Sequence, residues 1–252
     1  MPLDGKHAFV TGGGRGIGRA IARALSAAGA AVTVVGRHHT PLQEVVRVGE
    51  AAGCALADVT DATAVKRAIS AAEDARGSID ILVNNAGSAT SGPFLKTDAA
   101  VFSRMWGEHL MGAVYSTQTV LPGMIERRFG RVINIASIAG LKGYPYITAY
   151  CAAKHALVGL TRALATETAT RGVTVNAVCP GYTDTELVRE SIERVTSKTG
   201  RPREDVLAEY VKDAPIGRLV TPAEVAAAVL YLCSPEAASV TGTTLAIAGG
   251  EM

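Results

Sequence analysis

His7-Ala8-Phe9-Val10-Thr11-Gly12-Gly13-Gly14-Arg15-Gly16-Ile17-Gly18 is a short apolar run that ends in a cluster of glycines. The run reads as a strand. From Ile17 to Ala28 the apolar residues return at helical spacing (Ile17, Ile21, Ala24, Leu25, Ala28), and Gly29 stops the pattern. Glycines at such a turn let the backbone approach a pyrophosphate closely, while the following helix aims its N-terminal amides and dipole at the anion. The spacing here is Gly12-x-x-x-Gly16-x-Gly18 rather than the strict G-x-G-x-x-G pattern. Glycines alone can be mere punctuation. Their place between a first strand and a first helix makes a dinucleotide site the better reading.

Outward from this turn, strand and helix signals alternate. Ala31 to Val35 is a β-branched strand, a helix near Pro41–Ala52 leads to a strand near Cys54–Asp58, and a helix near Ala62–Arg76 leads to Ile79–Asn84. A long helical region starts near Thr97. Val132–Ile135, a helix near Ala149–Thr170 and Val173–Cys179 follow, and after a segment of different character come a helix near Pro222–Cys233 and a strand near Thr244–Ala248. Strands apolar on both faces and separated by helices predict a parallel sheet covered on both sides. With no internal linker and no repeat, residues 1–252 read as a single domain. Hydrophobic residues make up 48% and charged residues 19% of the 252, enough for a large core and against disorder. A net charge of +2 leaves no nucleic-acid footprint, and no apolar run approaches the length of a membrane span. The start, Met1-Pro2-Leu3-Asp4-Gly5-Lys6, enters a strand directly without a signal peptide. Cys54, Cys151, Cys179 and Cys233 show neither metal-ligand nor redox-motif spacing, and no His/Cys/carboxylate cluster suggests a metal. Buried thiols in a reducing cytoplasm are the expectation.

The end of the second strand decides which dinucleotide is favoured. A site for NAD offers a carboxylate there to accept the ribose 2′-hydroxyl. This chain has Gly36-Arg37-His38-His39, with no acid from Arg19 until Glu44. Arg37, with Arg15 in the turn, suits a 2′-phosphate and therefore NADP(H). Two arginines on a solvated surface are the competing reading; the missing acid decides against it.

Tyr150 and Lys154 share one helix face, with Cβ atoms about 5–6 Å apart. A lysine ammonium beside a phenol favours the phenolate and draws its pKa toward neutrality, where it can serve as an acid/base. Such a pair arises by chance on many helices. Its weight comes from Ser137 upstream, at the end of the strand Val132-Ile133-Asn134-Ile135, since a strand-end hydroxyl and the helix pair can converge on one carbonyl oxygen.

With Thr11 to Gly18, Asn84-Asn85-Ala86-Gly87, Ser137, Tyr150-x-x-x-Lys154 and Pro180-Gly181 in order, the chain resembles a short-chain dehydrogenase/reductase over essentially its whole length. The resemblance implies an α/β fold, a Rossmann-like doubly wound parallel sheet of about seven strands, with binding at its carboxyl edge. It implies Tyr150 as acid/base, Ser137 as the group orienting the substrate oxygen, and Lys154 as the residue that holds the ribose and lowers the tyrosine pKa. The glycine turn (Gly12, Gly14, Arg15, Gly16, Ile17, Gly18) and Arg37 would hold the dinucleotide. Asp58 and Val59 would flank the adenine, Asn85, Ala86 and Gly87 would line the cleft, and Pro180, Gly181, Thr183 and Thr185 would lie near the nicotinamide. It also implies a homotetramer.

One position departs from the family. Where it usually carries an asparagine that fixes a water behind the lysine, this chain has His109, which either takes over that task or merely packs. The segment 183–215 corresponds to the substrate lid. Val188, Ile192 and Val195 share one face there, and Leu207, Tyr210, Val211 and Ala214 another. Its basic residues Arg194, Lys198, Arg201 and Arg203 could meet a thioester carrier's phosphate, but nearby Glu190, Glu193, Glu204 and Asp205 favour a solvated face. The helix near Ala149–Thr170 carries more apolar surface than one sheet contact needs, which calls for a second subunit. The expected activity is NADP(H)-dependent hydride exchange between a carbonyl and a secondary alcohol. The substrate would be a small ketone or a 3-oxoacyl thioester on CoA or a carrier protein. An NAD-dependent alcohol dehydrogenase, and a cofactor-binding sensor or scaffold with weak catalysis, are the rival readings.

Overall fold

The computed structural model describes residues 1–251. Four completely buried stretches form the middle of one sheet: β1 (His7–Thr11), β4 (Ile81–Asn84), β5 (Gly130–Ile135) and β6 (Val173–Pro180). β2 (Ala31–Gly36) and β3 (Gly53–Leu56) extend it on one side and β7 (Thr244–Ile247) on the other. The order is β3-β2-β1-β4-β5-β6-β7, and every pairing is parallel. Strands buried on both faces have to be covered by helices on both faces. Ile21 and Leu25 of α1 (Gly16–Ala27), Leu42 and Val45 of α2 (His39–Arg47) and Val225 and Val229 of α9 (Pro222–Cys233) pack into one core. Val65 and Ile69 of α3 (Ala62–Arg76) and Val120 and Met124 of α5 (Gly112–Glu126) fill the opposite one. α6 (Thr148–Thr168) lies on that second side, where Leu157 and Val158 meet Ala177 and Cys179.

The chain moves outward from β1 to β3 and then returns to lay β4 against the other edge of β1. This reversal opens a crevice at the carboxyl ends of β1 and β4, where an open α/β sheet binds its ligands. Several boundaries shift by one or two residues from the sequence reading, with β3 ending at Leu56 and β4 starting at Ile81, and two differences are larger. α2 starts at His39 and ends at Arg47, because Gly49 at φ +78 ends the helical path before Ala52. The long helical region is not one helix. It comprises a 3-10 turn Phe94–Lys96, α4 (Ala99–Trp106) capped by Asp98, and a π-helical turn at 107–111 before α5. The π-turn places its middle residue, His109, on the buried side.

The expected lid is two helices, α7 (Glu186–Thr199) and α8 (Arg203–Val211). Both ends of this insertion are pinned, since Asp184 N–H donates to Val220 O (2.8 Å) and Val220 N–H to Tyr182 O (2.9 Å). No helix among the described residues is long and apolar enough to cross a membrane.

Candidate active site

The glycine turn is held by sterics. At Gly18 a Cβ would lie 2.3 Å from the Gly12 carbonyl oxygen, backbone against backbone, so nothing larger fits without a shift. Gly12 itself sits at φ +65, in the left-handed region that suits glycine. Asn85 ties this turn to the end of β4, its Nδ2 donating to Thr11 O (2.9 Å) and Gly12 O (3.2 Å). Thr11 Oγ1 accepts from the amides of Asn85 and Ala86 (3.0 and 3.1 Å). The two loops of the crevice are thereby one unit. At the N-terminus of α1, Arg15 makes no side-chain cap and the first turn holds no acid, so the helix offers uncapped amides to an anion. This cradle fits the pyrophosphate of a dinucleotide.

Further along the cleft, Arg37, Ala57, Asp58, Val59, Ala86, Gly87 and Glu108 surround one hollow. The expected adenine residues are therefore together. Asp58 accepts from Thr60 N and Oγ1 (2.9 and 2.7 Å), while the exposed Arg37 guanidinium lies 3.9 Å from its carboxylate, a loose contact. Those hydrogen bonds and Arg37 hold Asp58 below the usual carboxylate range despite the opposing pull of partial burial, so it stays anionic. The fork of Arg37 remains at the surface, where a phosphate can reach it. Thr185 caps α7, and its methyl lies 3.3 Å from where a Gly16 Cβ would be, so the lid begins directly over the pyrophosphate cradle. Thr183 donates to Gly181 O (3.0 Å), bracing the turn after β6.

Ser137, Tyr150 and Lys154 converge as the spacing predicts. Ser137 ends β5 and its Oγ accepts from Ala139 N (3.1 Å); its hydroxyl also hydrogen-bonds the Tyr150 phenol. Lys154 is buried at 4% exposure, its Nζ 5.5 Å from the Tyr150 ring centroid and donating to Ile135 O (2.7 Å). One expectation needs correction. Burial raises the Tyr150 phenol to about 12, against a smaller lowering by Ser137, and it lowers Lys154 to about 7. In both groups desolvation is the largest cause, and it disfavours the charged form of each.

His109 is buried beside this group. Its ring meets Tyr150 edge-on, 5.2 Å between centroids at 87°, and its Nε2 lies 2.7 Å from Ser88 O. A carbonyl accepts, so Nε2 carries the proton and Nδ1 is a bare acceptor, buried without a partner. Burial and the Lys154 charge keep the ring neutral, well below its ordinary pKa. Gly87, at φ +159, leaves space for it: a Cβ there would lie 2.1 Å from the His109 ring. Ser88 also donates to Glu108 (2.6 Å), so the π-turn grips the loop after β4 twice. Neither Glu108 nor Ser88 is visible as a site residue in the sequence. Nor is Tyr182, which meets Tyr210 edge-on at 4.7 Å.

The profile of a family described as enoyl-(acyl carrier protein) reductase matches residues 12–251. The chain belongs to the short-chain dehydrogenase/reductase family. It is 41% identical over 246 residues to 2-(S)-hydroxypropyl-CoM dehydrogenase 3 of Xanthobacter autotrophicus, covering 96% of this chain and 94% of that one. Identity to the 3-oxoacyl-(acyl-carrier-protein) reductase FabG of Vibrio harveyi is 37% over 251 residues, 99% and 98% of the two chains. Among solved structures, an actinorhodin polyketide ketoreductase variant crystallised with NADPH superposes with a TM-score of 0.92 at 35% identity, over 97% of this chain and 96% of that one. This short-chain dehydrogenase/reductase is thus an oxidoreductase of the carbonyl/alcohol type.

Proposed function

We propose that the protein is an NADP(H)-dependent ketoreductase in which Ser137, Tyr150 and Lys154 act on the carbonyl of a ketone or 3-oxoacyl thioester, within one domain whose lid spans about 183–215. The observation that carries this reading is the Ser137 hydroxyl bonded to the Tyr150 phenol, with the buried ammonium of Lys154 behind it. The dinucleotide, held by the glycine turn and Arg37, supplies the hydride. Ser137 donates a hydrogen bond to the substrate carbonyl oxygen and so orients it. Tyr150 transfers its proton to that oxygen as negative charge develops there, and Lys154 stabilises the phenolate left behind. A phenol raised to about 12 is fully protonated at neutral pH and ready to donate. His109, neutral and with Nδ1 bare, accepts the hydrogen bond of a water that returns a proton toward Lys154.

The solved relative bound to NADPH and the absence of an acid at the end of β2 both support NADP(H). The reading is tested by turnover of a panel of ketones and acyl thioesters with NADPH and with NADH. Reduction with NADPH preferred is expected; activity confined to NADH would overturn the cofactor, and no turnover of any carbonyl would overturn the function. We further propose a homotetramer. α6 leaves Ala152, Gly159 and Ala163 exposed on its outer face, small residues that allow a second helix close approach. Light scattering is expected to give four times the chain mass, and a mass near 26.0 kDa would refute it.

A further inference from the structure

The turn after β7, Gly249-Gly250-Glu251, reaches into the mouth of the cleft. Glu251 is buried at 4% exposure, and a carboxylate is not buried without partners. Among the described residues it has two side-chain partners, both from the loop between Ser137 and Tyr150. The Tyr144 hydroxyl donates to its Oε1, and Lys142 Nζ lies 3.2 Å from the same oxygen. Lys142 also stands 5.1 Å from the Tyr144 ring centroid, so the three side chains form one cluster. The start of this loop is tied by backbone, Leu141 N–H and Lys142 N–H both donating to Ile138 O (2.9 and 3.0 Å). Tyr146 is forced to φ +67, in the left-handed region unfavourable for a tyrosine, and the loop's far end is tied by Gly92 N–H donating to Tyr146 O (2.8 Å).

The same turn touches the end of the lid. Ile216 N–H donates to Gly249 O (3.0 Å). A Cβ on Gly249 would lie 2.1 Å from the Ile216 side chain, and one on Gly250 would lie 3.0 Å from Pro215. Both glycines have positive φ, +62 and +91. One short turn therefore contacts the two walls between which a substrate would enter, the loop 141–147 and the lid end 215–216. We propose that Glu251 is a positioning residue for substrate, a buried clasp that keeps these two walls in fixed relation while leaving the dinucleotide site untouched. The proposal rests on the ketoreductase reading. It gives Glu251 no part in hydride or proton transfer, since its carboxylate is committed to Tyr144 and Lys142.

Three variants test it. Glu251→Gln keeps an acceptor for Tyr144 but loses the ion pair, Glu251→Ala loses both, and Tyr144→Phe removes the donor from the other side. For a ketone turned over by the parent, KM should rise about tenfold in Glu251→Ala and Tyr144→Phe, as expected for losing a hydrogen bond to a charged group. Turnover number and the NADPH dissociation constant, read by nucleotide fluorescence, should stay within about threefold of the parent. The double variant Glu251→Gln/Tyr144→Phe should show less than the sum of the single effects. Unchanged KM would overturn the clasp, as would equal losses in NADPH affinity and melting temperature, which would mark a purely structural role. Hydrogen exchange decides the matter without turnover: Glu251→Ala should speed exchange at 141–146 and 215–217 and leave 11–18 protected. Unchanged exchange at those segments would overturn the clasp even if the parent reduces no carbonyl, a result that would itself count only against the ketoreductase reading.

Discussion

α1 and α7 differ in how they are held. α1 buries five of its 12 residues, Gly18, Ala20, Ile21, Ala22 and Leu25, whereas α7 buries only Ile192 of 14 and α8 only Val206 of nine. The nucleotide side is fixed by close backbone packing of Gly18 on Gly12 and by buried side chains bonded to backbone, Asn85 across both loops and Lys154 on the carbonyl of Ile135. The lid is held at its base by two hydrogen bonds to Val220 and decorated with surface ion pairs, Arg189–Asp184 and Arg201–Glu209. Exposed pairs of this kind are each worth about 0–1 kcal/mol. The nucleotide side is thus the more deeply buried of the two regions and the 183–215 segment the more exposed.

The largest effect is expected on the rigid side. Tyr150→Phe removes the only transferable proton and keeps the ring that packs on His109, so turnover should fall about 10²–10⁴-fold with NADPH binding retained. Steady-state kinetics with fluorescence titration measures both, and turnover within a few-fold of the parent would take Tyr150 out of the mechanism.

Next in size is a pH effect on stability. Lys154 has a folded pKa near 7, far below its ordinary value of 10.5. Between these values the unfolded chain binds the extra proton and the folded one does not, so stability rises with pH from about 7 to about 10. As pH falls through that window the gain is lost, and below 7 the lysine contributes a constant penalty. Lys154→Met should abolish this part of the dependence, seen as a flatter curve of denaturant midpoint against pH for the nucleotide-free protein. Parallel curves would show that the lysine is charged throughout.

Much of this rigid side was legible in the sequence, because burial and glycine sterics act locally. The bounds of β1 (His7–Thr11), α3 (Ala62–Arg76) and α9 (Pro222–Cys233) follow from apolar spacing. The convergence of Ser137, Tyr150 and Lys154 follows from a strand end and one helix turn. What spacing does not carry is the outcome of burial on charge, so the direction of the Tyr150 shift was misjudged. Contacts between residues remote in sequence were also out of reach. The π-turn that delivers His109 to Ser88 and the Glu251 clasp on Tyr144 pair residues 21 and 107 positions apart. The buried chain from Asn84 to Asn134 to Thr161 likewise runs across three elements (2.9 and 2.8 Å).

A smaller effect sharpens the comparison at the cofactor's outer end. Arg37 is half exposed and its ion pair to Asp58 is 3.9 Å long, so it is available to a 2′-phosphate at little cost. Arg37→Asp should weaken NADPH about 10–100-fold, the worth of a charge-assisted hydrogen bond, and bring NADH toward parity. A parent that already prefers NADH would break the argument from Gly36-Arg37.

The smallest effect belongs to the lid. Tyr210 on α8 shares a hydrogen bond of 2.8 Å with Ser191 on α7, and its ring stands edge-on to Tyr182 at 4.7 Å. Tyr210→Phe deletes the hydroxyl and keeps the ring contact, so it separates the two. The bond joins two partly exposed groups that water can satisfy in its absence, which limits its net worth to about 0.5–1.5 kcal/mol. Because α7 and α8 each bury one residue, they can open without unfolding the sheet, and the loss should be local. Hydrogen exchange should quicken across 186–211 while the global melting temperature stays within about 1 °C, since the global transition reports the sheet rather than the lid. KM for a bulky ketone should rise a few-fold and that for NADPH should not move. A drop in global stability as large as that of a core truncation, about 2–5 kcal/mol, would show that the lid is part of the cooperative core and that the two regions are not separate after all.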